Sequence, residues 1–178
     1  QTAIETVEEG TITLLKDVNL ANPVNIPTNK KITINLNAKK IQTFNKENAI
    51  HNEGELTITD TAESDEAKIY GYAPIIINNE ENSKLSINKG TLESNWNDAK
   101  CIQNKGTVIL SGGRIEPSKV SEGAYGIYNE GEGTVTLEGG NINAKSSKNV
   151  YGIYSNSNGE IRIIDGTINI EGTDRYVK

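Results

Sequence analysis

Ala49-Ile50-His51-Asn52-Glu53-Gly54-Glu55-Leu56-Thr57-Ile58-Thr59-Asp60 holds a short apolar run ending in an amide, a glycine turn and an apolar–polar–apolar triplet. Alternation of period two marks short strands. The same order of residues returns along the whole chain. Ile50, Ile76, Ile102, Ile127 and Ile153 stand 26, 26, 25 and 26 residues apart. Two positions after the first four come Asn52, Asn78, Asn104 and Asn129, with Ser155-Asn156 in the fifth unit. Triplets follow at Leu56/Ile58, Leu85/Ile87, Val108/Leu110, Val135/Leu137 and Ile161/Ile163. Turns then appear at Lys89-Gly90, Gly112-Gly113, Gly139-Gly140 and Asp165-Gly166, each leading to one more inward candidate: Leu92, Ile115, Ile142 and Ile168. Ile69 fills that column after the longer polar loop 60–68. No segment keeps apolar residues at helical spacing.

Two architectures fit such strands. Gly-Gly between alternating runs is also a hairpin signal, which suits an antiparallel meander or sandwich. Hairpins need complementary neighbours within a unit, however, whereas a parallel solenoid needs like residues at one fixed period. The columns favour the solenoid: an all-β, right-handed parallel β-helix of about seven coils, roughly 26 residues and three short strands each, about 30–35 Å tall at the usual strand spacing. Weaker pairs at Ile12/Leu14, Leu20 and Val24/Ile26 make residues 1–31 an atypical first coil or cap, with regular coils over 32–178 and the last one truncated. Asn52, Asn78, Asn104 and Asn129 are expected at a left-handed corner, hydrogen-bonded coil to coil as a structural ladder. The chain starts at Gln1 and has no Met, and it reads as one domain cut from a larger protein.

Composition narrows the function. Apolar residues are 34% of 178 and aromatics 5%, and 18 basic against 24 acidic residues give net −6. That balance offers no cationic face for nucleic acid or an anionic membrane, and no apolar run has the length of a membrane span. One Cys and one His leave no disulfide, no Cys-rich zinc site and little for a His-based centre, so neither a metal nor another cofactor is expected.

Ile32-Thr33-Ile34-Asn35-Leu36-Asn37, the 49–60 stretch and Tyr-Gly-Ile-Tyr at 125–128 and again at 151–154 resemble the right-handed parallel β-helix (pectate-lyase-like) superfamily. Within it they are most similar to the repeat type of bacterial cell-surface, adhesin-like proteins. The resemblance implies an extracellular, surface or secreted location and a binding or stalk role towards a glycan or a host or environmental protein. It also implies that the third strand of each coil lies in the sheet that carries catalysis in the enzymes of the superfamily.

Function on a β-helix belongs to outward positions. On the first strands these are expected at Ala49/His51, Ile75/Ile77, Cys101/Gln103, Gly126/Tyr128 and Gly152/Tyr154, a face without acid–base groups. Tyr128 and Tyr154 should stack one coil apart, with Tyr125 and Tyr151 at the strand entrance. This strip either holds sugar rings or only braces the strands. Trp96, in a loop between third and first strands, is the remaining ligand-binding candidate. On the third strands Glu93 and Glu116 share one column beside Arg114, and the alternative function is a polysaccharide lyase or glycoside hydrolase using these three. The bland reading is a solvated ion-pair strip. Glu63-Ser64-Asp65-Glu66 matches no calcium loop, and Cys101 and His51 read as packing residues. An unfinished coil exposes unpaired backbone groups, so weak end-to-end self-association is expected.

Overall fold

The triplets stack as their spacing requires. Leu56 pairs in register with Leu85, Leu85 with Val108, Val108 with Val135 and Val135 with Ile161, every pair parallel. The inward residues of the third strands do the same, from Ile41 through Ile69, Leu92, Ile115 and Ile142 to Ile168. The computed structural model is thus an all-β parallel solenoid of right-handed type. It has about six turns rather than seven, because seven stacked strands span six intervals. The structure describes residues 1–178 except 45, 46, 63, 119–122, 157, 173, 177 and 178, and gives the backbone alone for 174–176. The acidic loop at Glu63, the loop Pro117–Ala124 and the C-terminal Val177-Lys178 therefore lie partly or wholly outside the described residues.

Each turn has three faces. The first sheet stacks seven strands, among them Asn48–Asn52, Ile75–Asn79, Ala99–Asn104, Gly123–Asn129 and Asn149–Ser155. The second and third sheets meet at the glycine corner. Two late strands, Thr134–Lys145 and Ile161–Glu171, run through that corner unbroken and merge the two sheets into one of twelve strands. The corner residues Gly90, Gly113, Gly140 and Gly166 have φ of 104°, 76°, 75° and 108°, a region that side chains with a Cβ rarely enter. At Gly113 a Cβ would also lie 2.5 Å from the Gly90 carbonyl oxygen.

The interior is a column of Ile, Leu and Val with almost no solvent contact, including Ile50, Ile58, Ile69, Leu85, Ile102, Leu110 and Ile127. Burying each such side chain stabilises the fold by about 1.5–3 kcal/mol. At the N-terminus a short helix, Thr2–Glu5, lays Ile4 onto this column.

The first sheet departs from strict alternation, and this corrects several expectations. Five of its strands carry two consecutive inward residues: Ala49-Ile50, Ile76-Ile77, Cys101-Ile102, Gly126-Ile127 and, with Ile153 at 2% exposure, Gly152-Ile153. Ile50 and Ile102 are therefore in register with Ile77, not Ile76. Ala49, Ile77, Cys101, Gly126 and Gly152 face inward rather than outward. The outward pairs are instead Asn48/His51, Ile75/Asn78, Lys100/Gln103, Tyr125/Tyr128 and Tyr151/Tyr154.

The amide ladder shifts with it. Asn52 Nδ2 donates to Asn79 Oδ1 (2.7 Å), Asn79 Nδ2 to Asn104 Oδ1 (2.7 Å), and Asn104 Nδ2 to Asn129 Oδ1 (2.6 Å). Ser155 Oγ then accepts from Asn129 Nδ2 at 3.3 Å. Asn78, expected in this ladder, lies one residue off and outside it, with its Nδ2 on His51 and Glu80. The ladder residues are not at positive φ; among the described residues the left-handed non-glycine positions are Asn37, Ala38, Asn82 and Asp98. The first ladder oxygen, Asn52 Oδ1, has no partner because Ile26 occupies that position in the preceding turn.

Candidate functional site

The outer face of the first sheet carries the densest aromatic group. Because Tyr125 is in register with Tyr151, and Tyr128 with Tyr154, adjacent turns bring four phenols together. Tyr125 and Tyr151 stack with centroids 5.0 Å apart and planes 4° from parallel, while Tyr128 and Tyr154 stack at 5.0 Å and 19°. The two stacks meet edge to face, at 5.1–5.7 Å and 78–82°. This is a herringbone, the arrangement the ring quadrupole favours. All four residues remain partly exposed.

The turn before adds a charge that strict alternation had hidden. Lys100, an outward residue, places Nζ 4.5 Å from the centroid of the Tyr128 ring. Gln103 beside it donates to Glu130 at 2.6 Å. Burial, then the nearby Asp98 charge and the other phenols, pushes the Tyr125 hydroxyl up to about 12. Tyr128 is raised too, first by burial and then by Tyr154. A folded-state value above the ordinary phenol value near 10 contributes stability that is complete below pH 10 and is lost as pH rises through about 12. An ultraviolet phenolate titration should therefore show a delayed phase, and Tyr125→Phe should remove part of it. A single transition near pH 10 for all seven tyrosines would contradict this geometry.

Trp96 lies close to this patch but folds down. It packs half-buried on the cluster of Ala99, Ala124, Ala144 and Val150, and meets Tyr72 edge-on with centroids 4.7 Å apart.

On the third sheet Glu93 and Glu116 are neighbours in register, as are Thr91 and Arg114. Each carboxylate nonetheless has its own partners. Glu93 accepts from Lys68 and Asn95, both at 2.9 Å. Glu116 accepts from Asn143 at 3.2 Å and lies 3.7 Å from Arg114 Nε, whose guanidinium also sits 3.9 Å from Asp65. Arg114, Asp65, Lys89 and the glycine corner line a shallow cleft of ≈ 220 Å³. Each of the two carboxylates is thus matched by a group of an adjacent turn, Lys68 for Glu93 and Asn143 for Glu116.

His51 has Nδ1 3.2 Å from the Asn78 amide and lies 3.8 Å from both Glu53 and Glu80. No group of three or more His, Cys, Asp or Glu side chains is placed to hold a metal among the described residues. No helix among them is long and apolar enough to cross a membrane. Cys101 is fully buried, and burial pushes its thiol well above the usual range. It should resist a thiol-specific reagent in the native protein and react stoichiometrically in denaturant; rapid native labelling would mean that the first sheet opens.

Two further aromatic residues lay outside the sequence-based candidates. Phe44 and Tyr72 directly follow Thr43 and Gly71, which pair in register at the end of the third strands, and are 65% and 55% exposed. The signal was their shared offset from the third-strand column. No protein-family profile, curated protein or solved structure matches this chain.

Proposed function

We propose that this solenoid is a non-enzymatic, extracellular module of the bacterial cell-surface, adhesin-like type, related to the pectate-lyase-like β-helices, which contacts a glycan or protein through its tyrosine patch. The observation that carries the reading is the four-ring cluster, in which two adjacent turns bring four partly exposed phenols together on one face. Aromatic rings with polar hydroxyl tips are the side chains most used to hold sugars and protein hot spots. Stacked coils support the patch on a stiff rod, which suits presentation away from a surface.

A glycan array, with a panel of extracellular-matrix proteins printed beside it, tests this against Tyr128→Ser/Tyr154→Ser. Binding by the parent and its loss in the double variant is the expected result. Equal signals from the two proteins would overturn it. The adjacency of Glu93 and Glu116 keeps a second reading in view, that of a polysaccharide lyase or glycoside hydrolase. Release of reducing ends or unsaturated products by the parent, but not by Glu93→Gln or Glu116→Gln, would favour it.

A further inference from the structure

Aromatic residues occupy one side of the rod in five consecutive turns. Phe44 and Tyr72 stand at the corner where the third sheet passes into the first. Trp96 follows in the next turn, lying on Ala124 and Val150, the residues immediately before Tyr125 and Tyr151. The row then enters the tyrosine herringbone, where Tyr125 and Tyr151 stack one turn apart. Phe44 and Tyr72 leave more than half of their surface in water, although Tyr72 touches Trp96 edge-on. Exposed aromatic surface repeated on one side of a fold marks a contact site.

We infer that Phe44, Tyr72, Trp96, Tyr125 and Tyr151 form one track for a linear, uncharged polysaccharide lying along the rod axis. The inference rests on the tyrosine patch being a contact surface and specifies its ligand. Three observations select this occupant. Successive turns rise by about 4.8 Å, close to the length of one sugar residue, so successive sugars meet successive rings over roughly 19 Å. Among the described residues beside the rings are amides, with Asn95 accepting from Ser118 at 3.0 Å within the corner column and Gln103 beside the tyrosines, while the two nearby charges, Lys100 on the Tyr128 ring and Asp98 near Tyr125, are of opposite sign and leave no net charge for an ionic ligand. Finally, a chain of net charge −6 repels acidic polymers.

Trp96 is the only tryptophan, so its fluorescence reports on the middle of the track, with calorimetry as a second readout. The probes are neutral gluco- and manno-oligosaccharides of graded length, with polygalacturonate as the acidic control. Affinity should rise at least about tenfold from disaccharides to oligomers that span five turns. Phe44→Ala and Tyr72→Ala, both at exposed positions, should remove that gain and spare disaccharide binding. Tyr128→Ser/Tyr154→Ser should weaken both. Four results would overturn the track: binding independent of length, long oligomers indifferent to Phe44→Ala and Tyr72→Ala, preference for polygalacturonate, or no binding by any neutral probe. If a printed protein were bound through the same tyrosines instead, the track would fall while the patch stood. If the tyrosine variant bound every oligomer as the parent does, the patch itself would fall.

Discussion

Asn104→Leu should destabilise the protein by about 3–5 kcal/mol, although leucine fills nearly the same space. Asn104 is fully buried at the centre of the amide ladder. Its Nδ2 serves Asn129 Oδ1, the Gly106 carbonyl at 3.2 Å and the Thr134 carbonyl at 3.1 Å. Its Oδ1 accepts from Asn79 and from the Gly106 N–H. Leucine leaves the Asn129 oxygen, the Gly106 N–H and the Thr134 carbonyl without this partner, and an unmade buried hydrogen bond costs more than a made one gains. For a chain of this size the loss should lower Tm by roughly 6–20 °C. Asn78→Leu is the control. Asn78 lies outside the ladder, and its own Oδ1 is buried without a partner, so the change should stay within about 1 kcal/mol. Equal melting shifts for the two variants would mean that the ladder is wrongly assigned.

Gly126→Ala should cost about 3 kcal/mol or more, for a different reason. A Cβ at Gly126 would lie 2.4 Å from the Gly152 carbonyl oxygen and 2.5 Å from Ile142 Cγ2. The first obstacle is backbone of the next turn and cannot move without spoiling the ladder. Gly152 tests the distinction, since its Cβ would meet only side chains: Ile168 Cγ2 at 2.3 Å, with Ile168 Cβ and Ile170 Cδ1 near 3.8 Å. Gly152→Ala should cost about 1–3 kcal/mol, and Ile168→Leu, which removes the β-branch methyl, should recover most of it. The same relief, Ile142→Leu, should not rescue Gly126→Ala. Denaturant midpoints of the two pairs decide the matter. Rescue at both sites would show that the turns slide past one another more easily than the register implies.

These glycines explain where reading from sequence stopped. Leucine, valine and isoleucine returning every 23 to 29 residues, with polar residues between them, were enough for the parallel solenoid, for the second and third columns and for the glycine corner. Stacking like on like is a one-dimensional property, and a chain that repeats must bury each apolar column against the next turn's copy. The twice-used Tyr-Gly-Ile-Tyr likewise announced paired phenols.

The first sheet was not legible in the same way. Period-two reasoning admits one inward residue at a time, and Ile75-Ile76-Ile77 offers no contrast by which to choose among three identical side chains. The inner wall there needs two consecutive inward residues, with small ones such as Gly126 and Gly152 wherever an isoleucine of the opposite sheet reaches across. That choice depends on volume contributed by strands more than fifteen residues away along the chain. It moves Asn79 into the ladder, turns Cys101 inward and brings Lys100 onto the Tyr128 ring. Repetition along the sequence therefore determined the fold and the axial neighbours. Packing across the narrow core decided which side chains face the solvent, because only the assembled cross-section reveals how much space each turn leaves for its neighbour.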